Sequence, residues 1–453
     1  MTECAAMPLT ASEAKRKLVH IGVGGIAFLL RFLTWEQAAL LALGALVFNA
    51  FVLPRVGGKS MWREAEHGRG YPLGILLYPA AVLALVLCFH DRLEIAAALW
   101  GILAFGDGMA SLVGQGAGGP RLPWNDRKSW SGFVAFVLCG AVGAAVLMAW
   151  TLRLPMGAWA SPWILGLLVP VAAFCALVES LPTTLDDNLT VPLAGAIVLP
   201  LLLDASPAAL LGQPDLARRL AIGLGVNGTF AALAYWKRSI DVPGALSAIV
   251  IGTAITLGLD WRGLVVMIAF FVLGSAATKA GYRLKASRGI AQEKGGARGW
   301  RNAWANGGVA AFLALMAALD QGAAAVYAIA YAAAVATAAA DTCSSEVGKA
   351  YGRRTFLITT LRPVPPGTEG AVSLEGTLAG LAGAAAVAAV GVATGLFGWR
   401  AAVVVAVAGL VGSLAESLLG TVAEKRGWMD NNLLNAANTA IGALVAVALV
   451  RLL

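Results

Sequence analysis

The chain has 453 residues, 59% hydrophobic and only 13% charged, against about 25% charged in an ordinary soluble domain. Mean hydropathy is +0.77 and apolar runs recur along the whole length, which excludes a soluble enzyme with a single anchor. A net charge of +8 raises nucleic acid as a partner, but the placement of the basic residues gives them another use.

A helical span takes about 20 mostly apolar residues. In chain order the sequence predicts an all-α polytopic membrane protein of about fifteen spans. They are 18–33, 36–53, 72–89, 94–113, 132–152, 161–179, 189–204, 218–236, 243–259, 262–279, 303–319, 322–340, 374–396, 399–419 and 433–450. Met1 to Ala14 lacks a basic start followed by an apolar stretch, so no signal peptide is expected there. Asp204 to Ala217, with Pro207, Gly212 and Pro214, is the best boundary. It predicts membrane domains 1–204 and 218–453 joined by a linker, 205–217. The five cysteines (Cys4, Cys88, Cys139, Cys175, Cys343) are scattered and form no CxxC, so neither a structural zinc nor a disulfide framework is expected.

Alternating the loops tests the span list. With the N-terminus inside, only Arg31, Arg92, Arg153, Arg218, Arg219, Arg262, Arg400 and Arg451 of the 33 Lys and Arg fall outside. By the positive-inside rule the N-terminus and the motif loops are expected in the cytoplasm; in a bacterium the membrane would be the plasma membrane. Topology therefore accounts for most of the positive charge, and no nucleic acid is expected as a partner.

Four polar motifs occur twice in the same order. The first half has Asp107 in Gly106-Asp107-Gly108, then Lys128-Ser129-Trp130-Ser131-Gly132, Glu179-Ser180-Leu181 and Asp186-Asp187-Asn188-Leu189. The second has Asp341 in Ala340-Asp341-Thr342, then Ser373-Leu374-Glu375-Gly376, Glu416-Ser417-Leu418 and Asp430-Asn431-Asn432-Leu433. The segments between differ in length, so the pattern reads as a divergent internal repeat of two bundles. An acid in the hydrocarbon region costs at least about 2.5 kcal/mol and is a functional candidate by default. At a span end it can also be an interfacial cap or the partner of a lysine. Asp107, Glu179, Asp187, Asn188, Asp341, Glu346, Glu416, Asp430, Asn431 and Asn432 offer the hard oxygen ligands that suit Mg²⁺. Lys128 with Ser129 and Gly132 offers a cation, a hydroxyl and close backbone approach at a helix start, which suits phosphate but is also a common helix cap. His20, one turn after Lys17 and beside Gly24-Gly25, is a further site candidate. Gly114 to Gly119 is rich in glycine but has no preceding strand and no Walker lysine, so it reads as a loop. Asn188-Leu189-Thr190 is a glycosylation sequon by letters only, and His67 and His90 read as loop residues.

With these marks in place, residues 12–204 resemble the polyprenol kinase family, which includes dolichol and phytol kinases. The matching residues are Arg16-Lys17-x-x-His20, Gly106-Asp107-x-x-Ala110-x-x-x-Gly114, Lys128-Ser129-x-x-Gly132, and Glu179 followed by Asp187-Asn188. CDP-diacylglycerol synthases are more distantly similar. Residues 218–453 are similar to the phytyl-phosphate kinase family. The marks there are Lys294-Gly295-Gly296-x-Arg298-x-x-Arg301-Asn302-x-x-x-Asn306-Gly307-Gly308, Asp341-Thr342-x-x-Ser345-Glu346-x-Gly348, Gly367-Thr368-x-Gly370-x-x-Ser373-x-x-Gly376-Thr377, and Asp430-Asn431-Asn432-x-x-Asn435. The first half departs at Trp130-Ser131, where relatives often carry an acid before the glycine.

The two resemblances together imply a fusion of consecutive steps. A prenol of phytol or geranylgeraniol type would become its monophosphate in the first half and its diphosphate in the second, with Mg²⁺ and with CTP or another NTP as donor. Asp107 and Asp341 would be catalytic or metal-binding. Lys17, His20, Lys128, Ser129, Arg298, Arg301, Asn302, Asn306 and Ser373 would bind nucleotide or phosphate. The partners are then an isoprenoid alcohol, a prenyl monophosphate and the bilayer. Two other readings stay open: a cytidylyltransferase forming a CDP-lipid, and a repeat-built transporter. The clustering of the motifs at one face disfavours transport, whose polar sites lie near the midplane.

Overall fold

In the computed structural model, residues 11–56, 73–290, 299–424 and 427–452 are described. They are nearly all helical, and the chain divides into two compact units, Met1–Leu203 and Asp204–Leu453. Ten helices are long and apolar enough to cross a membrane among the described residues. That is fewer than the fifteen spans expected, and the differences have local causes. The first expected span divides between α1 (Ala11–Gly24) and a 3-10 turn, Gly25–Arg31. Helices α3 (Leu73–Cys88) and α8 (Asp187–Leu203) are apolar but short. α10 (Leu216–Trp236), which covers the expected span 218–236 and holds Arg218 and Arg219 in its first turn, is not one of the ten. Spans 243–259 and 262–279 are the two arms of one element, α11 (Val242–Lys279).

In the first unit, α2 (Trp35–Val47) follows the 3-10 turn and ends in a π-helical turn, Phe48–Val52. Residues Leu93–Gly116 form one continuous span. Within it α4 (Leu93–Gly101) opens into a π-helical turn, Ile102–Asp107, before α5 (Gly108–Gly116). A hairpin of β1 (Arg121–Leu122) and β2 (Asn125–Ser129) leads into α6 (Trp130–Thr151), followed by α7 (Pro162–Glu179).

The second unit begins with α9 (Pro207–Leu211). The stretch expected as a linker is thus part of this unit, tied by the Ser206 amide donating to the carbonyl of Leu319 at 2.8 Å. After α10 and α11 come α12 (Tyr282–Ser287), α13 (Trp300–Leu319) and α14 (Ala324–Tyr351). The hairpin β3 (Thr355–Leu357) and β4 (Ala371–Ser373) pairs Thr355 with Ser373 and leads into α15 (Leu374–Ala393). Helices α16 (Trp399–Leu419) and α17 (Asn431–Leu452) complete the unit.

In each unit the aspartate-bearing span is the enclosed one. The most apolar window of Leu93–Gly116 is 78% buried and that of α14 72%, while no other span exceeds 56%. Alanine explains α14: Ala332–Ala334, Ala336 and Ala338–Ala340 are fully buried, and side chains this small let α11, α13, α15, α16 and α17 all pack on it.

α11 is not straight. Leu259 and Asp260 leave helical geometry, and Asp260 takes φ 52° and ψ −156°, a region sparsely used by non-glycine residues. Its carboxylate accepts from the Arg262 amide at 2.8 Å. Gly244 and Phe271 both line one small cavity. A straight helix would hold residues that far apart in sequence about 40 Å from each other, so the chain reverses at this break.

Candidate active site

In the first unit the π turn sets the position of Asp107. The chain around it admits no bulk: a side chain at Gly106 would strike Phe136, and one at Gly108 would come within 2.4 Å of Ile21 on α1. α1 therefore lies directly on the turn, with Lys17, His20, Ile21 and Gly24 on one helical face. The Lys17 ammonium donates to Asp107 Oδ2 at 2.8 Å. His20 Nε2 lies 3.4 Å from the same oxygen and 3.0 Å from the Leu103 carbonyl. The His20 ring packs edge-on against Tyr78, whose hydroxyl accepts from Trp100.

Lys128 approaches from β2. It is ion-paired with Glu179, at the end of α7, and lies 3.9 Å from Asp187, at the start of α8. Carboxylate oxygens of Asp107, Glu179 and Asp187 all lie within 4.8 Å of one another. Three carboxylates thus gather around two ammonium groups and the His20 ring. Asp107 Oδ1 is buried and has no hydrogen-bond partner among the described residues. Burial opposes charge on Lys128, but Glu179 and then Asp187 outweigh it, and its pKa is raised above the ordinary lysine value.

Ser129, expected at phosphate, caps α6, accepting from the Gly132 amide at 3.3 Å. The Asn188 side chain donates to the Gly74 carbonyl at 3.1 Å, while its Oδ1 is buried without a partner among the described residues. The hairpin is pinned by Trp124 and Asn125, which donate to the hydroxyl and carbonyl of Ser180 at 3.0 Å.

The second unit repeats several of these contacts in different residues. Ser373 caps α15 through the Gly376 amide at 3.1 Å. A side chain at Gly376 would come within 2.7 Å of the Ser344 carbonyl, three residues after Asp341; one at Gly132 would come within 2.9 Å of the Ala110 carbonyl, three after Asp107. Gly348 lies against Ser373 as Gly114 lies against Ser129. Here, however, the acid opens onto a cavity of about 600 Å³, within the usual range for small-molecule sites. Asp341, Glu416, Asn302, Asn306, Ser373 and Asn431 line it. The carboxyl groups of Asp341 and Glu416 neighbour each other on this wall.

Other expected residues lie elsewhere. Glu346, expected as a metal ligand, is instead buried in an ion pair with Lys285, which also donates to the Thr278 carbonyl. It is not among the residues that line the cavity. Arg301 is exposed, its guanidinium 5.5 Å from the Trp300 ring centroid. Asp430 caps α17 through the Leu433 amide, and Asn432 is not on the cavity wall. Arg298 lies outside the described residues. The residue list drawn from the motifs omitted Lys349, Ser413, Ser417 and Asn435, all on the wall. Helical spacing could have found Lys349, eight residues after Asp341 on the same face of α14.

The fold and the two acid clusters define a polytopic helical membrane protein with buried polar sites. The chain belongs to the DUF92 family of integral membrane proteins, matched over residues 225–443. An uncharacterized membrane protein of Synechocystis is 43% identical over 215 residues, 47% of this chain and 83% of the relative. Protein VTE6, chloroplastic, of Arabidopsis thaliana is 38% identical over 45% of this chain and 64% of its own length. Probable phytol kinase 2, chloroplastic, of Oryza sativa is 34% identical over 43% of this chain and 68% of the relative. No solved structure matches the chain.

Proposed function

We propose that the protein is a membrane prenol kinase in which two divergently repeated units act in sequence. The first phosphorylates an isoprenoid alcohol of phytol type, and the second converts the monophosphate to the diphosphate, with CTP or another NTP as donor. The observation that carries the reading is the convergence of Asp107, Glu179 and Asp187 on Lys128 at the start of a serine-capped helix. Relatives named phytol kinase support the first step; the motif resemblance of residues 218–453 to prenyl-phosphate kinases supports the second.

Phosphoryl transfer needs mainly positioning and charge neutralisation. In the first unit the alcohol oxygen would attack the terminal phosphorus as the bond to the departing nucleoside diphosphate breaks. Asp107 Oδ1 would accept the hydroxyl proton, while Lys17 holds the other oxygen. Lys128 would face phosphate oxygens. The excess of carboxylates over ammonium groups would suit Mg²⁺, held by Glu179 and Asp187 in the first unit and by Asp341 and Glu416 in the second. Bound there, it would neutralise charge on the nucleotide phosphates. Two carboxyl groups in contact repel unless a proton or a cation lies between them, which fits Asp341 and Glu416. The motif loops would face the cytoplasm, where nucleotide is available.

The test is incubation of the purified full chain with labelled CTP or ATP, Mg²⁺, and phytol, geranylgeraniol or their monophosphates. Labelled prenyl monophosphate and diphosphate are expected. A CDP-lipid with release of pyrophosphate would replace the reading with a cytidylyltransferase. No transfer to any prenol or prenyl phosphate would reject it.

A further inference from the structure

Two cavities of the second unit share a wall. The polar cavity that holds Asp341 and a smaller one of about 140 Å³ are both lined by Asn302 and Asn306. These lie one turn apart on α13, and the Asn306 side chain donates to the Asn302 carbonyl at 3.0 Å. Past this amide rim the lining turns apolar, with Phe230 from α10 and Ala248, Ile251, Met267 and Phe271 from the two arms of α11. The other polar side chain there, Asn227, turns back to the Gly223 carbonyl at 2.7 Å. Both α11 and α13 are spans, so the small cavity lies among lipid-embedded helices.

We infer that this apolar cavity seats the head-end isoprene unit of a prenyl monophosphate, whose phosphate passes Asn302 and Asn306 into the polar cavity. The inference rests on the kinase reading of the second unit. Such a substrate is an amphiphile. Its phosphate must reach the acid pair, and its tail gains from staying out of water at about 25 cal/mol per Å². A polar cavity that meets an apolar one at a two-amide rim matches that division. Size sets how much of the tail is gripped: a cavity of about 150 Å³ takes one benzene-sized guest. The 140 Å³ here therefore suits about one isoprene unit. The rest of the tail would leave past Phe230, which lines the cavity and is 42% exposed. The grip is thus on the unit nearest the phosphate, and selection for total chain length would be weak.

The experiment uses the full chain in nanodiscs and a geranylgeranyl monophosphate with a diazirine on its first isoprene unit. After irradiation, peptide mapping should place the label on α10, α11 and α13, and unlabelled geranylgeranyl monophosphate should displace it. Ala248→Phe and, independently, Met267→Trp fill the cavity. Each should cut labelling at least tenfold and raise KM for the prenyl monophosphate by a similar factor, with KM for the nucleotide unchanged. Label confined to other helices, or full labelling of both variants, overturns the inference. Diphosphate formation without label in the cavity overturns the inference and leaves the kinase reading standing. Label in the cavity, lost in both variants, without diphosphate formation from any nucleotide keeps the isoprenoid seat and rejects the kinase.

Discussion

Asp107 and Lys17 form a buried pair, and that complicates any mutation of either. Asp107→Asn preserves size but removes the charge facing Lys17. Breaking a buried pair from one side costs about 3–5 kcal/mol because the remaining charge is uncompensated. Alcohol phosphorylation is expected to fall at least about 100-fold, equivalent to about 2.7 kcal/mol of barrier. Loss of folding could mimic that result. The double change Lys17→Met with Asp107→Asn removes both charges and should recover thermal stability without recovering activity. Recovery of both, read by melting and by product formation, would make Asp107 structural. Lys128 adds a pH expectation. Its pKa is raised in the folded protein, so its pairing contributes fully below the ordinary lysine value of about 10.4 and is lost only as pH rises through the raised value. Lys128→Met should therefore lower the melting temperature at pH 8 to 9, where Lys128 is charged; an unchanged melting temperature there would contradict the pairing. Motif order singled out Asp107, Lys128, Glu179 and Asp187, and the Arg16-Lys17-x-x-His20 resemblance added the Lys17 and His20 that lie against Asp107. It could not tell that Glu346 belongs to Lys285, because that partner sits on a short helix, α12, that no span pattern marks.

At the scale of elements, the tight fits are between helix backbones. A side chain at Gly132 or Gly376 would press on a carbonyl of the neighbouring aspartate helix at 2.9 or 2.7 Å, and a carbonyl cannot swing aside as a side chain can. Gly132→Val and Gly376→Val are each expected to cost about 1–3 kcal/mol by overpacking, seen as a lower melting temperature. Wild-type melting would mean the helices can part freely. Asp260 offers the opposite sign. Its backbone strain is of order 1–3 kcal/mol, so Asp260→Gly should hold or raise stability, while Asp260→Val should lower it. The helical, membrane-spanning character was legible because apolar runs report burial in lipid directly, whereas the count was not: ten helices qualify among the described residues, against fifteen expected. The reversal inside α11 was legible as well, as two separate runs, though its continuity as one element was not. The π turn before Asp107 was not legible, because an extra residue in a helical turn leaves the hydrophobic pattern almost unchanged. The hairpins were invisible for another reason: two- to five-residue strands are too short to show alternation.

For the molecule as a whole, two units each with its own acids predict separable steps. Asp341→Asn should leave alcohol kinase activity intact and make the monophosphate accumulate. Asp107→Asn should block use of the alcohol while added monophosphate is still converted. Thin-layer separation of labelled products decides it, and equal loss of both products in both variants would reject separate sites. Single cysteines in the 115–127 and 350–368 loops, in a cysteine-free background, should resist an impermeant thiol reagent in intact cells; ready labelling would reverse the proposed orientation. The reversal at Leu259–Asp260 has a consequence of another kind. Because α11 returns to the side it started from, it adds an even number of crossings. Its removal would leave everything downstream facing the same way. A chain lacking 242–279 would lose the proposed isoprenoid seat, yet a reporter placed after α17 should keep its sidedness. The two arms of α11 could therefore be lost together without turning the remaining helices over.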